Sequence, residues 1–241
     1  MIILVDIGNT RTKYRIEDID IKNKRIVIEN NQITKQWLTE YWGKANQIIV
    51  GSVKLGALTD LIATWAKENH SKIFFIESEK ERFGIINSYE QPKSLGVDRW
   101  LTLVGASALF PKTGVVIIDA GTATTFDVLD QDGKHQGGWI LSGIDLLLAQ
   151  LSSNTSKVKF DVSDSADTAF GKSTSECVNN AAWAATIAMI NSGIKIAEHT
   201  QEIKHCILLG GNAERILPFI EFPKVEIIHD LIFEGLKRYS A

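Results

Sequence analysis

Twice in this chain an apolar run ends in an acidic residue with glycine two positions later. Asp6 and Gly8 follow Ile2–Val5, and Asp119 and Gly121 follow Val115–Ile118. The apolar runs read as buried strands, and glycine permits a turn that also leaves backbone N–H groups open to a phosphate. Asn9 and Thr10 after the first glycine, and Thr122 and Thr124 after the second, add polar donors. A carboxylate does not bind phosphate directly. Asp6 would instead hold a hydrated Mg2+ that bridges to phosphate oxygens, since this hard cation keeps much of its water. The plain alternative is a pair of hairpins whose Asp and Gly only shape turns. Repetition at the head of each half of the chain favours phosphate chemistry.

Two other segments carry candidate chemistry. Ser94–Trp100 leads into an apolar helix, so Asp98 and Arg99 fall at its first turn. One reading is structural: Asp98 complements the helix dipole and Arg99 makes a surface ion pair. The other is functional: Asp98 accepts a proton from a substrate hydroxyl while Arg99 binds a polar or anionic group beside it. The second segment, Cys206–Glu214, is a strand running into Gly210, Gly211 and a helix. It permits close approach of an adenosine or a ribose, or is an ordinary strand-to-helix turn.

The elements that must position these residues repeat. The first half reads as strands near 2–6, 12–17 and 24–29, a helix near 35–42, a strand near 47–50, a helix near 56–69, a strand near 73–76 and a helix near 97–109. The second reads as strands near 114–119, 123–130 and 136–142, helical stretches near 144–151 and 174–198, a strand near 206–209, a helix near 213–219, a strand near 225–228 and a helix near 231–239. Each half is βββαβαβα, and Pro111 and Gly114 place the boundary near Lys112, giving domains 1–112 and 113–241. Asp132 and Gly133 make a hairpin turn. The polar segment 152–172, including Ser153, Thr155 and Ser156, is a surface connection of a length that also suits a lid.

Composition limits the function classes. The chain has 241 residues, 44% hydrophobic, with net charge −3. That is enough for a substantial core and gives no basic surface for nucleic acid; Lys22, Lys24 and Arg25 read as a solvated hairpin. No apolar run reaches the ~20 residues that cross a bilayer, and the first residues lack signal-peptide character, which predicts a cytoplasmic protein. Cys177 and Cys206 lack metal-site spacing and are expected as core thiols. The five histidines show no ligand spacing, and Trp100, Trp139 and Trp183 are expected in a core or interface. Ala181, Ala182, Ala184, Ala185 and Ala188 suit close helix packing, against a partner or internally.

The segments Asp6–Lys13, Gly96–Trp100, Asp119–Asp127, Gly137–Ile140 and Leu209–Ala213 resemble, in order, the motifs of the type III pantothenate kinase family, also named for the Bvg accessory factor. The resemblance implies an α/β fold made of two ribonuclease H-like halves, of the acetate and sugar kinase, Hsc70 and actin type, with a nucleotide cleft. It implies a homodimer that phosphorylates pantothenate at its terminal primary hydroxyl with ATP, giving 4'-phosphopantothenate, the first step of coenzyme A biosynthesis. Asp6, Ile7, Gly8, Asn9, Thr10, Arg11, Thr12 and Lys13 match the phosphate turn, and Thr122 matches a second ATP contact. Asp119 matches a monovalent cation site for potassium or ammonium. Gly96, Val97, Asp98 and Arg99 match the pantothenate loop, with Asp98 as the base, and Tyr89 and Thr174 resemble further pantothenate contacts. Tyr89 and Thr174 are otherwise a packed aromatic and a helix-start residue, and Lys13 a solvated side chain. Ser142 stands where the family commonly has proline, and Ser173–Cys177 departs from the family's more apolar pattern. Two other classes stay open: a kinase or phosphatase of the same fold with another substrate, and a non-catalytic accessory protein that binds a nucleotide.

Overall fold

The apolar run Ile2–Val5 forms the centre of a five-stranded sheet in the computed structural model, which describes residues 1–17, 24–53, 55–154 and 158–240. The first half gives β1 (Ile2–Ile7), β2 (Arg11–Glu17), β3 (Ile26–Glu29), α1 (Lys35–Trp42), β4 (Gln47–Ser52), α2 (Ala57–Glu68), β5 (Lys72–Ile76), a small hairpin of β6 (Glu81–Arg82) and β7 (Ile85–Ile86), and α3 (Val97–Leu109). The second gives β8 (Gly114–Ala120), β9 (Ala123–Leu129), β10 (His135–Ser142), α4 (Ile144–Asn154), α5 (Thr174–Thr200), β11 (Ile203–Leu209), α6 (Ala213–Ile216), β12 (Val225–Ile227) and α7 (Leu231–Lys237).

Both sheets have the same topology. The strand order is β3-β2-β1-β4-β5 in the first and β10-β9-β8-β11-β12 in the second. In each, three antiparallel strands precede two that run parallel to the central one. Parallel neighbours need a crossover, and α1 and α2 or the α4–α5 stretch supply it. The duplication read from the sequence is therefore present at the level of strand order.

Ile3 and Val5 of β1 pack with Ile48 and Val50 of β4, Leu38 and Trp42 of α1, and Ile62 and Trp65 of α2. Alternation turns Leu4 and Ile49 to the opposite face, and both are fully buried. A strand buried on both faces reads as a continuous apolar run rather than an alternating one. The second core collects Val116, Ile118, Phe126, Leu148, Trp183 and Leu208.

The chain divides into two compact units, 1–109 with 230–241 and 110–229. The chain passes from the first unit to the second between Leu109 and Phe110. The last segment, expected in the second half, belongs with the first unit: α7 packs along α3 and contacts β1 and β4. Two glycines allow this. A Cβ on Gly105 would collide with the Leu231 carbonyl, and one on Gly235 with the Leu101 carbonyl, so the two helix backbones touch. Charge secures the same contact. Arg15, buried in β2, donates from Nη1 to Glu234 Oε1 at 2.8 Å, and its guanidinium lies 5.5 Å from the centre of the Phe233 ring. Arg25 lies 3.4 Å from Asp230 rather than simply facing solvent, Lys24 is exposed, and Lys22 is outside the described residues.

Other expectations needed revision. Cys206 is buried and its thiol is pushed up to about 12 by that burial, but Cys177 is exposed, its Sγ donating to the Gly171 carbonyl at 3.4 Å. The inward stripe of α5 runs through Asn179, Ala182, Trp183 and Thr186, and residue 177 is out of phase with it. Trp100 and Trp183 are fully buried, whereas Trp139 is 40% exposed. The helix expected near 213–219 keeps its α-helical form only to Ile216 and ends as a single 3-10 turn over Leu217–Phe219, where Pro218 lacks an N–H to continue it. Residues 158–172 form no helix or strand; Thr155 and Ser156 are outside the described residues. Among the described residues no helix is long and apolar enough to cross a membrane.

Candidate active site

The turn between β1 and β2 is closed by Gly8 N, which donates to the Arg11 carbonyl at 3.0 Å, leaving Asn9 and Thr10 exposed at the tip. Antiparallel register sets Lys13 opposite Asp6, and Lys13 Nζ lies 3.6 Å from Asp6 Oδ2. The Asp6 side chain is only 14% exposed. Burial raises its pKa above the ordinary carboxylate value; Lys13 opposes that shift and the charge of Asp98 adds to it. The structure thus brings Asp6 and Asp98 into one electrostatic neighbourhood, although 92 positions separate them in sequence (98 − 6).

Not every residue of the Asp6–Lys13 segment presents its side chain to the turn. Ile7 is in the core, so only its backbone is available to a ligand. Thr12 is buried and its hydroxyl donates to Asn30 Oδ1 at 2.7 Å. Arg11 is exposed and pairs with Glu29 at 2.7 Å. Asn30 was not foreseen. Its Nδ2 donates to the Gly8 carbonyl at 3.0 Å and its N–H to the Thr10 carbonyl at 2.9 Å, so one side chain and its own backbone brace the turn. Nothing local marks it, because Asn30 reaches the turn only through the pairing of β2 with β3.

A second constellation lies at the start of α3. Asp98 is in the first turn, where its Oδ1 accepts from Arg99 N at 2.8 Å. A Cβ on Gly96 would stand 2.5 Å from that same oxygen, so the missing side chain makes room for the carboxylate. Arg99 is only 5% exposed, an expensive position for a cation without partners. Its Nη1 donates to Tyr89 Oη at 2.8 Å, with the guanidinium 5.7 Å from the centre of the Tyr89 ring. Both readings of Asp98 are therefore compatible with its place, while Arg99, expected at the surface, is buried and meets Tyr89.

The second unit repeats the turn in shorter form. Gly121 N donates to the Ala123 carbonyl at 3.0 Å, and Thr122 is exposed at the tip. Gly143 N donates to the Thr122 carbonyl and Asn212 N to the Ala120 carbonyl, both at 3.0 Å. Gly210 has φ +94°, and a Cβ there would stand 2.5 Å from Asp119 Oδ1. The glycine pair after β11 is therefore folded against the Asp119 turn, which joins two motifs that the sequence kept apart. Ser142 ends β10 opposite Ala123. Thr174 is exposed at the first position of α5; the cap is Ser173, which accepts from Glu176 N at 3.2 Å. Among the described residues no group of three or more His, Cys, Asp or Glu side chains is placed to hold a metal. His135 instead meets Asp127 at 2.9 Å, both fully buried.

Residues 2–195 match the family model described as type III pantothenate kinase. The chain is 38% identical over 249 residues to a type III pantothenate kinase of Colwellia psychrerythraea, covering all of both chains. The chain belongs to the type III pantothenate kinase family. A second type III pantothenate kinase, from Nitrosococcus oceani, is 32% identical over 252 residues, covering all of this chain and 94% of the relative. Solved structures agree on the fold. A candidate transcriptional activator of the Baf family from Campylobacter jejuni superposes with TM-score 0.62 at 21% identity, covering 98% of this chain and 96% of its own. A candidate 2-dehydro-3-deoxygalactonokinase from Sinorhizobium meliloti gives TM-score 0.62 at 11% identity, covering 100% and 98%. In type III pantothenate kinase terms, the two matched sheets are the duplicated ribonuclease H-like fold, and the chain is a kinase.

Proposed function

We propose that this chain transfers the γ-phosphoryl group of ATP to the terminal primary hydroxyl of pantothenate, with Asp98 as the base. The observation that carries the residue assignment is the meeting of Asp6, Asp98 and the Tyr89–Arg99 pair in one unit. In the reaction the hydroxyl oxygen forms the new P–O bond, the bond between γ-phosphorus and the β,γ-bridging oxygen breaks, and the proton passes to Asp98. Tyr89, Gly96, Val97 and Arg99 hold the acceptor, with Arg99 and Tyr89 steadying its polar groups. Thr174 is a further acceptor contact. Phosphoryl transfer draws its rate mainly from alignment and charge stabilisation, so few side chains suffice.

The turn from Asp6 to Lys13 takes the phosphates at Asn9 and Thr10, where Gly8 spares the room a side chain would fill, while Lys13 adds positive charge and Thr122 contacts the nucleotide from its own turn. A largely buried carboxylate beside the glycine turn, with 14% of its side chain still exposed, fits a water-mediated Mg2+. That ion, when bound, neutralises charge on the phosphate oxygens. Asp119, folded under Gly210, is the proposed ligand of potassium or ammonium, and the active form is a homodimer.

The test is ATP-dependent phosphorylation of pantothenate with Mg2+, comparing potassium, ammonium and sodium, alongside the molar mass in solution. Product with potassium or ammonium but not sodium is the expected result. Product independent of the cation removes Asp119 from that role. ATP binding without product in any mixture overturns the proposed reaction.

A further inference from the structure

The chain makes a long excursion between β5 and α3, over residues 77–96, in which β6, β7 and one 3-10 turn are the regular pieces. Tyr89, the partner of Arg99, lies within it outside any element and is half-buried. A side chain on such a segment is placed well only when something inside the segment holds it.

Asn87 does this. It is completely buried. Its N–H donates to the Lys80 carbonyl at 3.0 Å, and its Nδ2 donates to the carbonyls of Glu79 and Pro92, each at 3.1 Å. Its Oδ1 accepts from Tyr89 N at 3.0 Å, and its own carbonyl accepts from Lys80 Nζ at 3.0 Å. One amide therefore ties the arm leading into the excursion, at Glu79, to the arm leading out, at Pro92, and fixes the Tyr89 peptide between them. Ser78 Oγ closes the base by donating to the Leu95 carbonyl at 2.8 Å, next to Gly96.

We propose that Asn87 is a positioning residue for acceptor recognition: it holds the Tyr89 backbone so that the phenol meets Arg99 Nη1, and thereby fixes the guanidinium within the proposed acceptor site. From Asn87 to Arg99 the connection is two hydrogen bonds and one stiff aromatic side chain. The inference rests on the proposed acceptor site at Tyr89, Asp98 and Arg99.

The test is a double-mutant cycle of Asn87→Ala with Tyr89→Phe, read as KM for pantothenate, KM for ATP and thermal unfolding. Asn87→Ala is expected to raise KM for pantothenate about tenfold, with KM for ATP changed less than about twofold. In the Tyr89→Phe background, where the hydroxyl is already gone, the same change is expected to add little. Asn87→Asp, which keeps the acceptor for Tyr89 N–H, is expected to recover part of the pantothenate KM even where it does not recover stability. Equal increments in both backgrounds, or a parallel rise in both KM values, overturn the inference. If Tyr89→Phe alone leaves KM for pantothenate unchanged, it is the acceptor site itself that fails. Should the Asn87 variants not fold, hydrogen exchange on the unmodified chain decides: a protected Tyr89 N–H is expected, and exchange at the rate of an unstructured peptide overturns the inference.

Discussion

Asp6 and Asp98 share a neighbourhood but not a task. Asp98 faces the reacting hydroxyl in the proposed mechanism, so Asp98→Asn should leave ATP binding intact and lower kcat by about 10²–10⁴-fold, the usual contribution of a positioned base. Turnover at the unmodified rate would remove it from that role. The environment of Asp6 disfavours its own charge: burial raises its pKa, Lys13 opposes that rise and the charge of Asp98 adds to it. A carboxyl with a raised folded-state pKa costs stability at pH above that value. The cost falls as pH drops through it towards the ordinary 3.8, and is absent below. Asp6→Asn should therefore abolish turnover yet stabilise the fold by about 0.5–2 kcal/mol near neutral pH, a stability gained at the expense of function. Thermal unfolding of both chains between pH 3 and 8 checks this, since the difference must shrink on the acid side of the range. A difference that grows on acidification would contradict the assigned burial. Lys13, half-exposed at 46%, loses its partner cheaply in that variant because water replaces it.

At the scale of elements, the position of α3 decides where Asp98 and Arg99 stand, and α7 decides the position of α3. Their crossing depends on Gly105 and Gly235, each lying against backbone of the other helix. Two effects oppose one another in Gly105→Ala. Alanine gains about 1 kcal/mol of helix propensity, while forcing a methyl against a carbonyl costs about 1–3 kcal/mol, and a backbone atom cannot move aside as a side chain would. Overpacking should win, lowering Tm by a few degrees and reducing kcat/KM for pantothenate as α3 shifts. An unchanged Tm would mean that the helices separate without cost. The same contact is tied at its far end, where Trp100 Nε1 donates to Tyr239 Oη and Tyr239 Oη donates to Glu79 Oε1, each at 2.9 Å. Burial raises the Tyr239 pKa, so the phenol keeps its proton for Glu79. The C-terminal turn thereby reaches the same Glu79 whose carbonyl holds Asn87.

Over the whole molecule, the first unit is completed by the far end of the chain. Removing residues 230–241 would uncover the α3 face, take Phe233 and Leu236 from the core and leave Arg15 buried without Glu234. Hydrogen exchange on such a truncated chain should lose protection in β1, β4 and α3 while β8, β9 and β11 keep theirs; uniform loss would show that the two units do not open separately. Sequence alone determined the local architecture. Apolar runs with their glycines encode strands and turns within a few neighbouring residues, and the duplicated order of strands was legible for that reason. It also marked both Asp–Gly turns and set Asp98 at the head of a helix. Tertiary structure alone decided which unit receives α7, since an amphipathic helix names the face it buries and not the surface that covers it. It decided too that Thr12 turns inward to Asn30, that Asn87 joins Glu79 to Pro92, and that Cys177 faces solvent. Each of these outcomes depends on which distant carbonyl or helix face the folded backbone brings within reach, a property of strand pairing and helix phase that no short window of residues carries.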